Sequence, residues 1–329
     1  MPFWAYNQWV SVLPEKLNPP GRQFAGRRSF FLKENPMKTH LRFIFTTILT
    51  LTVILTTGCQ APTPQVTPIP LISNTAPAAP AQTPAPQAVS ALPASFDFAP
   101  YFEGYDGAFV IYSLKTGETL RYRPEQCAKG FLPASTFKIL NSLISLETGV
   151  IADENTVIPW DGQKRAVEAW NQDLTMRSAI QVSAVWFYQE LARRVGAERM
   201  QDYLNRVPYG NSDISGQIDS FWLNGGLRIS ADEQIIFLNR LYLNNLPFSQ
   251  RSLDIVKDIL ILEKTDSYIL SGKTGSAVTE SPVGWFVGYV EKGDDVLFFA
   301  ANVTGKPDAA APVAKAAVLK ILKDLGVLP

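Results

Sequence analysis

The sequence predicts an α+β fold, an antiparallel β-sheet formed by both ends of a domain and packed with a helical region. Three observations predict it. Two β-rich runs around a Gly-containing turn open the domain at 107–123, helical periodicity dominates its middle, and three strand-like runs return between 267 and 304.

The opening runs are Gly107–Leu114 and Thr119–Arg123, joined through Lys115-Thr116-Gly117-Glu118, which reads as a hairpin. From Ser135 to Glu147 apolar residues fall at 137, 140, 143, 144 and 146, the spacing of one helix face, and Gly149 supplies the stop. Met176 to Val195 and Ala231 to Leu243 also fit helices. Strands follow at 267–275, 283–291 and 296–304, the last two joined by Lys292-Gly293-Asp294-Asp295. A terminal helix is expected over about 312–325.

Upstream of this domain the chain changes character. Residues 37–58 carry Lys38 and Arg42, then an apolar run from Phe43 to Thr57, then Gly58 before Cys59. That is the order of a secretory signal, and about 15 apolar residues are few for a membrane span. The ending Leu55-Thr56-Thr57-Gly58-Cys59 resembles a bacterial lipoprotein signal, which implies lipidation of Cys59, export, and a periplasmic or cell-envelope location at a membrane. Residues 1–36 are read as an extension upstream of a start at Met37. Within 59–95, 9 of 37 residues are proline and none is charged. Such a segment cannot bury enough apolar surface to fold and reads as a tether. The expected organisation is extension 1–36, signal 37–58, linker 59–95 and domain 96–329.

Composition narrows the chemistry. After Cys59 there remain 23 basic and 28 acidic residues, a net of −5. A mildly acidic domain argues against nucleic acid as a partner. The only histidine is His40, inside the segment expected to be removed. Without imidazole there is no Ser-His-Asp unit and no His-ligated metal, so no metal site is expected. Acid–base chemistry must then fall to Lys, Asp/Glu or Tyr. Cys127 is read as a free, buried thiol, having no partner in the mature domain.

Ser135-Thr136-Phe137-Lys138 places a hydroxyl and an amine three residues apart, on one helix face. A serine hydroxyl needs a base to become a good nucleophile, and a desolvated lysine can be one. Alone, S-x-x-K turns up roughly once in a chain of this length, and a capping serine followed by an incidental lysine is the better explanation of the motif by itself. Lys-Thr-Gly occurs twice. At 115–117 it reads as turn chemistry. At 273–275 it ends a strand, where Lys273 can hold an anion, Thr274 can donate, and Gly275 lets a ligand approach the backbone.

Order raises the specificity. Ser135-x-x-Lys138, Ser183-Ala184-Val185, Tyr209-Gly210-Asn211 and Lys273-Thr274-Gly275 follow one another, a pattern shared with penicillin-recognising serine enzymes. With Trp170–Val182, Ile218–Leu223, Leu227–Ser230 and Gly284–Tyr289, the domain resembles class D β-lactamases, the oxacillinase group, over nearly all of 96–329. The resemblance implies a serine β-lactamase or penicillin-binding transpeptidase-like fold. It also implies hydrolysis of β-lactams by an acyl-enzyme on Ser135. Lys138 corresponds to the lysine carboxylated by CO2 to give the general base, with no other cofactor. Phe137, Val185 and Trp222 would desolvate that amine, and the Trp222 indole would donate to the carbamate. Ser183 corresponds to the proton relay. Lys273, Thr274, Gly275 and Ser276 face the substrate, with the backbone N–H groups of Ser135 and Ser276 as oxyanion hole. Tyr209 and Asn211 are signature residues of a more structural kind.

One departure stands out. Where the family commonly carries a carboxylate-binding arginine, at the start of the last helix, this chain has Ala314, followed by Lys315. Lys315, Thr274 or Ser276 are candidates for that task, although lysine is a point charge and not a bidentate fork. A non-hydrolytic penicillin sensor and a D-Ala-D-Ala peptidase share these motifs and remain alternatives.

Overall fold

Strand β1 (Asp106–Ser113) and strand β2 (Thr119–Tyr122) pair antiparallel, with Phe109 opposite Tyr122 and Tyr112 opposite Thr119. They belong to a computed structural model that describes residues 92–329. The signal segment, Cys59 and the linker up to residue 91 lie outside the described residues. The first Lys-Thr-Gly is a turn: Gly117 adopts φ +74°, and Lys115 pairs with Asp294 at 2.6 Å.

Helix α1 (Pro124–Cys127) and a 3-10 turn, Ala134–Phe137, lead into α2 (Lys138–Glu147). The helix expected from Ser135 thus begins one 3-10 turn later. Gly149, at φ +69°, lies just past its end. The expected single helix over 176–195 is two helices, α3 (Met176–Gln181) and α4 (Val185–Val195). They break at Ser183, whose φ is +55°. The apolar periodicity runs through the break, so no local pattern marks it. A distant lysine on the sheet engages that hydroxyl, as described below.

Helices α5 (Ala197–Arg206) and α7 (Gln250–Ile259) were not expected from the periodicity. Each is largely polar and buries a narrow stripe, Met200 and Leu204 in one, Leu253 and Val256 in the other. Between them α6 (Ala231–Tyr242) matches expectation and starts at a capping box of Ser230 and Glu233. Then come β3 (Ile261–Lys264), β4 (Ile269–Ala277), β5 (Val283–Lys292), β6 (Asp295–Thr304) and α8 (Ala311–Asp324).

The sheet order is β2-β1-β6-β5-β4-β3, and every pair is antiparallel. Val110 on β1 lies opposite Ala300 on β6, so both ends of the domain close one sheet, as expected. Side chains alternate between its faces. Val110, Val287 and Ala300 join the core under the helical region, whereas Phe109, Phe286 and Phe299 join the core under α8. Leu92, Phe98 and Phe102 belong to the second core, so packing begins four residues before 96. No helix among the described residues is long and apolar enough to cross a membrane.

Candidate active site

The 3-10 turn carrying Ser135 is held from four sides. Ala134, at φ +49°, donates its N–H to Trp222 O at 3.0 Å. The Trp285 indole on β5 donates to Leu132 O at 2.9 Å. Thr136 Oγ1 donates to Pro133 O at 2.7 Å and accepts from Gln234 Nε2 of α6 at 2.9 Å. Finally, Gly275 lets β4 close onto the turn: a Cβ there would lie 2.9 Å from Pro133 O and 3.1 Å from Thr136 N.

Within this frame Ser135 is 8% exposed and Lys138 is fully buried. Lys138 Nζ lies 2.6 Å from Ser135 Oγ. The Tyr188 ring, one α4 turn beyond Val185, faces the amine at 5.5 Å. Phe137 stacks on Trp222 at 5.3 Å, and Val185 packs against the same core. Burial holds the Lys138 amine well below the ordinary lysine value, with the nearby Lys273 charge a smaller cause. The buried Trp222 Nε1, on a ring that stacks against Phe137 next to Lys138 in the chain, is an orphan donor with no hydrogen-bond partner.

Lys273 reaches in from β4 and is 5% exposed. Its Nζ donates to Ser183 Oγ at 3.0 Å and to Thr274 O at 2.9 Å. Burial, and after it the charge of Lys315, lowers its pKa to about 7. Thr274 and Ser276 alternate with Lys273 and Gly275 along the strand. Ser276 Oγ accepts the N–H of Ala311, the first residue of α8, at 2.9 Å. Gly284 on β5 makes room for that approach, since a Cβ there would strike the Ala310 carbonyl. Ala314 is fully buried in the core beneath α8, and Lys315 stands 5.8 Å from the Phe286 ring.

Tyr209 is buried edge-on to Phe137 at 5.8 Å and to Phe237 at 5.0 Å. Asn211 is exposed and ties loops together, accepting Arg228 N–H at 2.8 Å and donating to Gly226 O at 3.0 Å. Tyr209 therefore backs Phe137, the neighbour of Lys138, while Asn211 fixes the loops around it. The structure brings Ser135, Lys138, Ser183 and Lys273 together from a turn, a helix, a helix break and a strand. Three residues were missed in the sequence. Tyr188 was findable, as it shares a helix face with Val185 three residues earlier. Trp285 lies in the recognised Gly284–Tyr289 stretch but its role there was not assigned, and Gln234, on α6, carries no local signal. Cys127 is free and buried, as expected.

Residues 107–323 match the penicillin binding protein transpeptidase domain family. Over 230 residues the chain is 47% identical to β-lactamase OXA-5 of Pseudomonas aeruginosa, covering 69% of this chain and 86% of that protein. It is also 36% identical over 237 residues to the regulatory protein BlaR1 of Bacillus licheniformis, covering 71% of this chain and 39% of that longer protein. Among solved structures, the class D β-lactamase YbXI from Nostoc aligns with TM-score 0.68 and 44% identity, covering 71% of this chain and 100% of that one. A serine and a buried lysine on one turn, a second lysine reaching a second serine, and these likenesses across the whole domain place the chain in the class D β-lactamase family.

Proposed function

We propose that the protein hydrolyses β-lactams through an acyl-enzyme on Ser135, with carboxylated Lys138 as general base. The observation that carries this reading is the 2.6 Å approach of a fully buried lysine to a nearly buried serine. A neutral amine can add CO2, and burial lowers the Lys138 pKa, which favours the neutral form. The residues fit the adduct: the orphan Trp222 indole is a donor waiting for an acceptor. Carboxylated, Lys138 supplies a base both for the serine proton and for the hydrolytic water.

The remaining roles fall to the chain's own groups. Ser135 Oγ attacks the lactam carbonyl carbon, and the C–N bond breaks as the nitrogen takes a proton through Ser183. Lys273 holds that hydroxyl in place from β4. The N–H groups of Ser135 and Ser276 receive the developing oxyanion. Thr274, Ser276 and Lys315 share the substrate carboxylate; position 314, which the sequence set against the family's arginine, points into the core beneath α8 and does not face the site. Turnover of nitrocefin by the purified chain tests the reading; a stoichiometric burst with no turnover would reject it.

That outcome would favour a second reading, a non-hydrolytic penicillin-binding sensor, and a regulatory protein, BlaR1, is among the relatives. We further propose that the protein is exported and anchored to a membrane by a lipid on Cys59. Support comes from the apolar run before Gly58-Cys59 and the uncharged, proline-rich tether after it. Mass spectrometry of membrane-fraction protein should find an acylated Cys59; a mature form starting elsewhere would reject the anchor.

A further inference from the structure

Two indole N–H groups lie in series behind Ser183. Trp170 Nε1 donates to the carbonyl of Val182 at 2.9 Å. Trp186 Nε1 donates to the carbonyl of Trp170, also at 2.9 Å. Val182 is the residue immediately before Ser183, and its carbonyl leaves the end of α3 where intrahelical partners run out. Ser183 itself is left-handed at φ +55°, a conformation that costs a non-glycine residue free energy. The sequence on either side has one uninterrupted helical periodicity. Local preference therefore favours closing the break into a single helix, which would carry the Ser183 hydroxyl away from Lys273.

The Trp186 side is braced in turn. The Arg165 guanidinium lies 5.4 Å from the Trp186 ring. Arg165 is clamped by two contacts to Asp161, at 2.8 and 2.6 Å. Asn171 closes the loop on Arg165, accepting its N–H at 2.7 Å and donating to its carbonyl at 2.9 Å. The 161–171 loop, Trp186 and the break at Ser183 thus form one connected set of directional contacts.

We propose that Trp186, acting through Trp170, is a positioning residue that holds Ser183 in the conformation where Lys273 can reach its hydroxyl. Neither indole is catalytic. The inference rests on the proposed role of Ser183 in protonating the leaving nitrogen. Its consequence is selective: acylation, which breaks the C–N bond, depends on the clamp, and deacylation does not.

The test replaces Trp186 with β-(3-benzothienyl)alanine, a ring of the same shape with sulfur in place of N–H, so that packing is retained. Pre-steady-state kinetics on a penicillin, normalised to active enzyme, separate the two steps. The expected result is a roughly tenfold to hundredfold fall in the acylation rate, with deacylation and Kd unchanged. Trp170→Phe should give a similar fall, and the combined variant should be no slower than Trp170→Phe alone. Equal slowing of both steps would overturn the proposal, since a general loosening acts on both. Unchanged acylation in the isostere, with Ser183→Ala strongly impaired, would overturn the clamp and leave the role of Ser183 standing. Unimpaired acylation in Ser183→Ala would remove the reading on which the clamp rests.

Discussion

Lys138 Nζ, fully buried, stands 2.6 Å from the Oγ of Ser135, which keeps a small exposed surface. The pair sits at the junction of a 3-10 turn and an α-helix, where the serine and lysine face the same way. Everything else at the site holds that pair or perturbs it.

Ser135→Ala should abolish covalent labelling by penicillins and cut turnover by several orders of magnitude. The fold should survive, since the turn is held by Trp285, Trp222, Thr136 and Gly275 and not by the hydroxyl. Fluorescent penicillin labelling with a circular dichroism control checks both points. Persistent labelling would mean another serine is the nucleophile.

Activity should decline at acidic pH and recover with bicarbonate. A carbamate forms only on neutral Lys138, so protonation of the amine as pH falls reverses it. Trp222→Phe keeps the ring and deletes the donor, and should sensitise deacylation most. Acyl-enzyme should accumulate in that variant and clear on adding bicarbonate. Labelled-carbon NMR showing no adduct at any pH would exclude carboxylation.

Lys138→Met should inactivate the enzyme while raising its stability by about 1–3 kcal/mol, because a buried amine is replaced by an apolar chain of similar size. The sign follows from linkage. The folded value is depressed and the unfolded value is near ~10.4, so the unfolded chain binds more protons between them. Stability from this site therefore rises with pH through that window, and the variant should flatten the rise. Lys273, lowered to about 7, keeps its own share. Urea denaturation at several pH values, without bicarbonate, reads the difference.

Lys315→Ala should raise KM for penicillins several-fold with little change in kcat, since a remote charge binds ground and transition states alike. It should also let the Lys273 pKa rise, because the Lys315 charge is one of the causes lowering it. An unchanged KM would assign the substrate carboxylate to Thr274 and Ser276 alone.

Much of the site was legible in the chain. Ser135 and Lys138 lie three residues apart, a spacing that forces proximity on any helical turn, and the ordered motifs supplied Ser183 and Lys273. The hairpin at 106–122 and the strands at 283–304 were legible because β-rich runs and turn residues are local features. Helices α5 and α7 were not. Their apolar stripes are too narrow to stand out from polar loop, and only packing against the rest of the domain selects the helix.

By itself the sequence determined the α+β class, the proximity of Ser135 and Lys138, and the absence of imidazole from the domain. These follow from spacing, periodicity and composition, which need no knowledge of distant residues. Tertiary structure decided the rest. The Lys138 pKa is lowered because the fold buries its amine completely, and desolvation is a sum over residues far apart in the chain. Ser183 sits in a break where Lys273, ninety positions away, meets its hydroxyl and the Trp170 indole, itself tied to Trp186, holds the Val182 carbonyl beside it. A 3.6-residue periodicity cannot encode that competition, since the groups that win it come from another part of the fold.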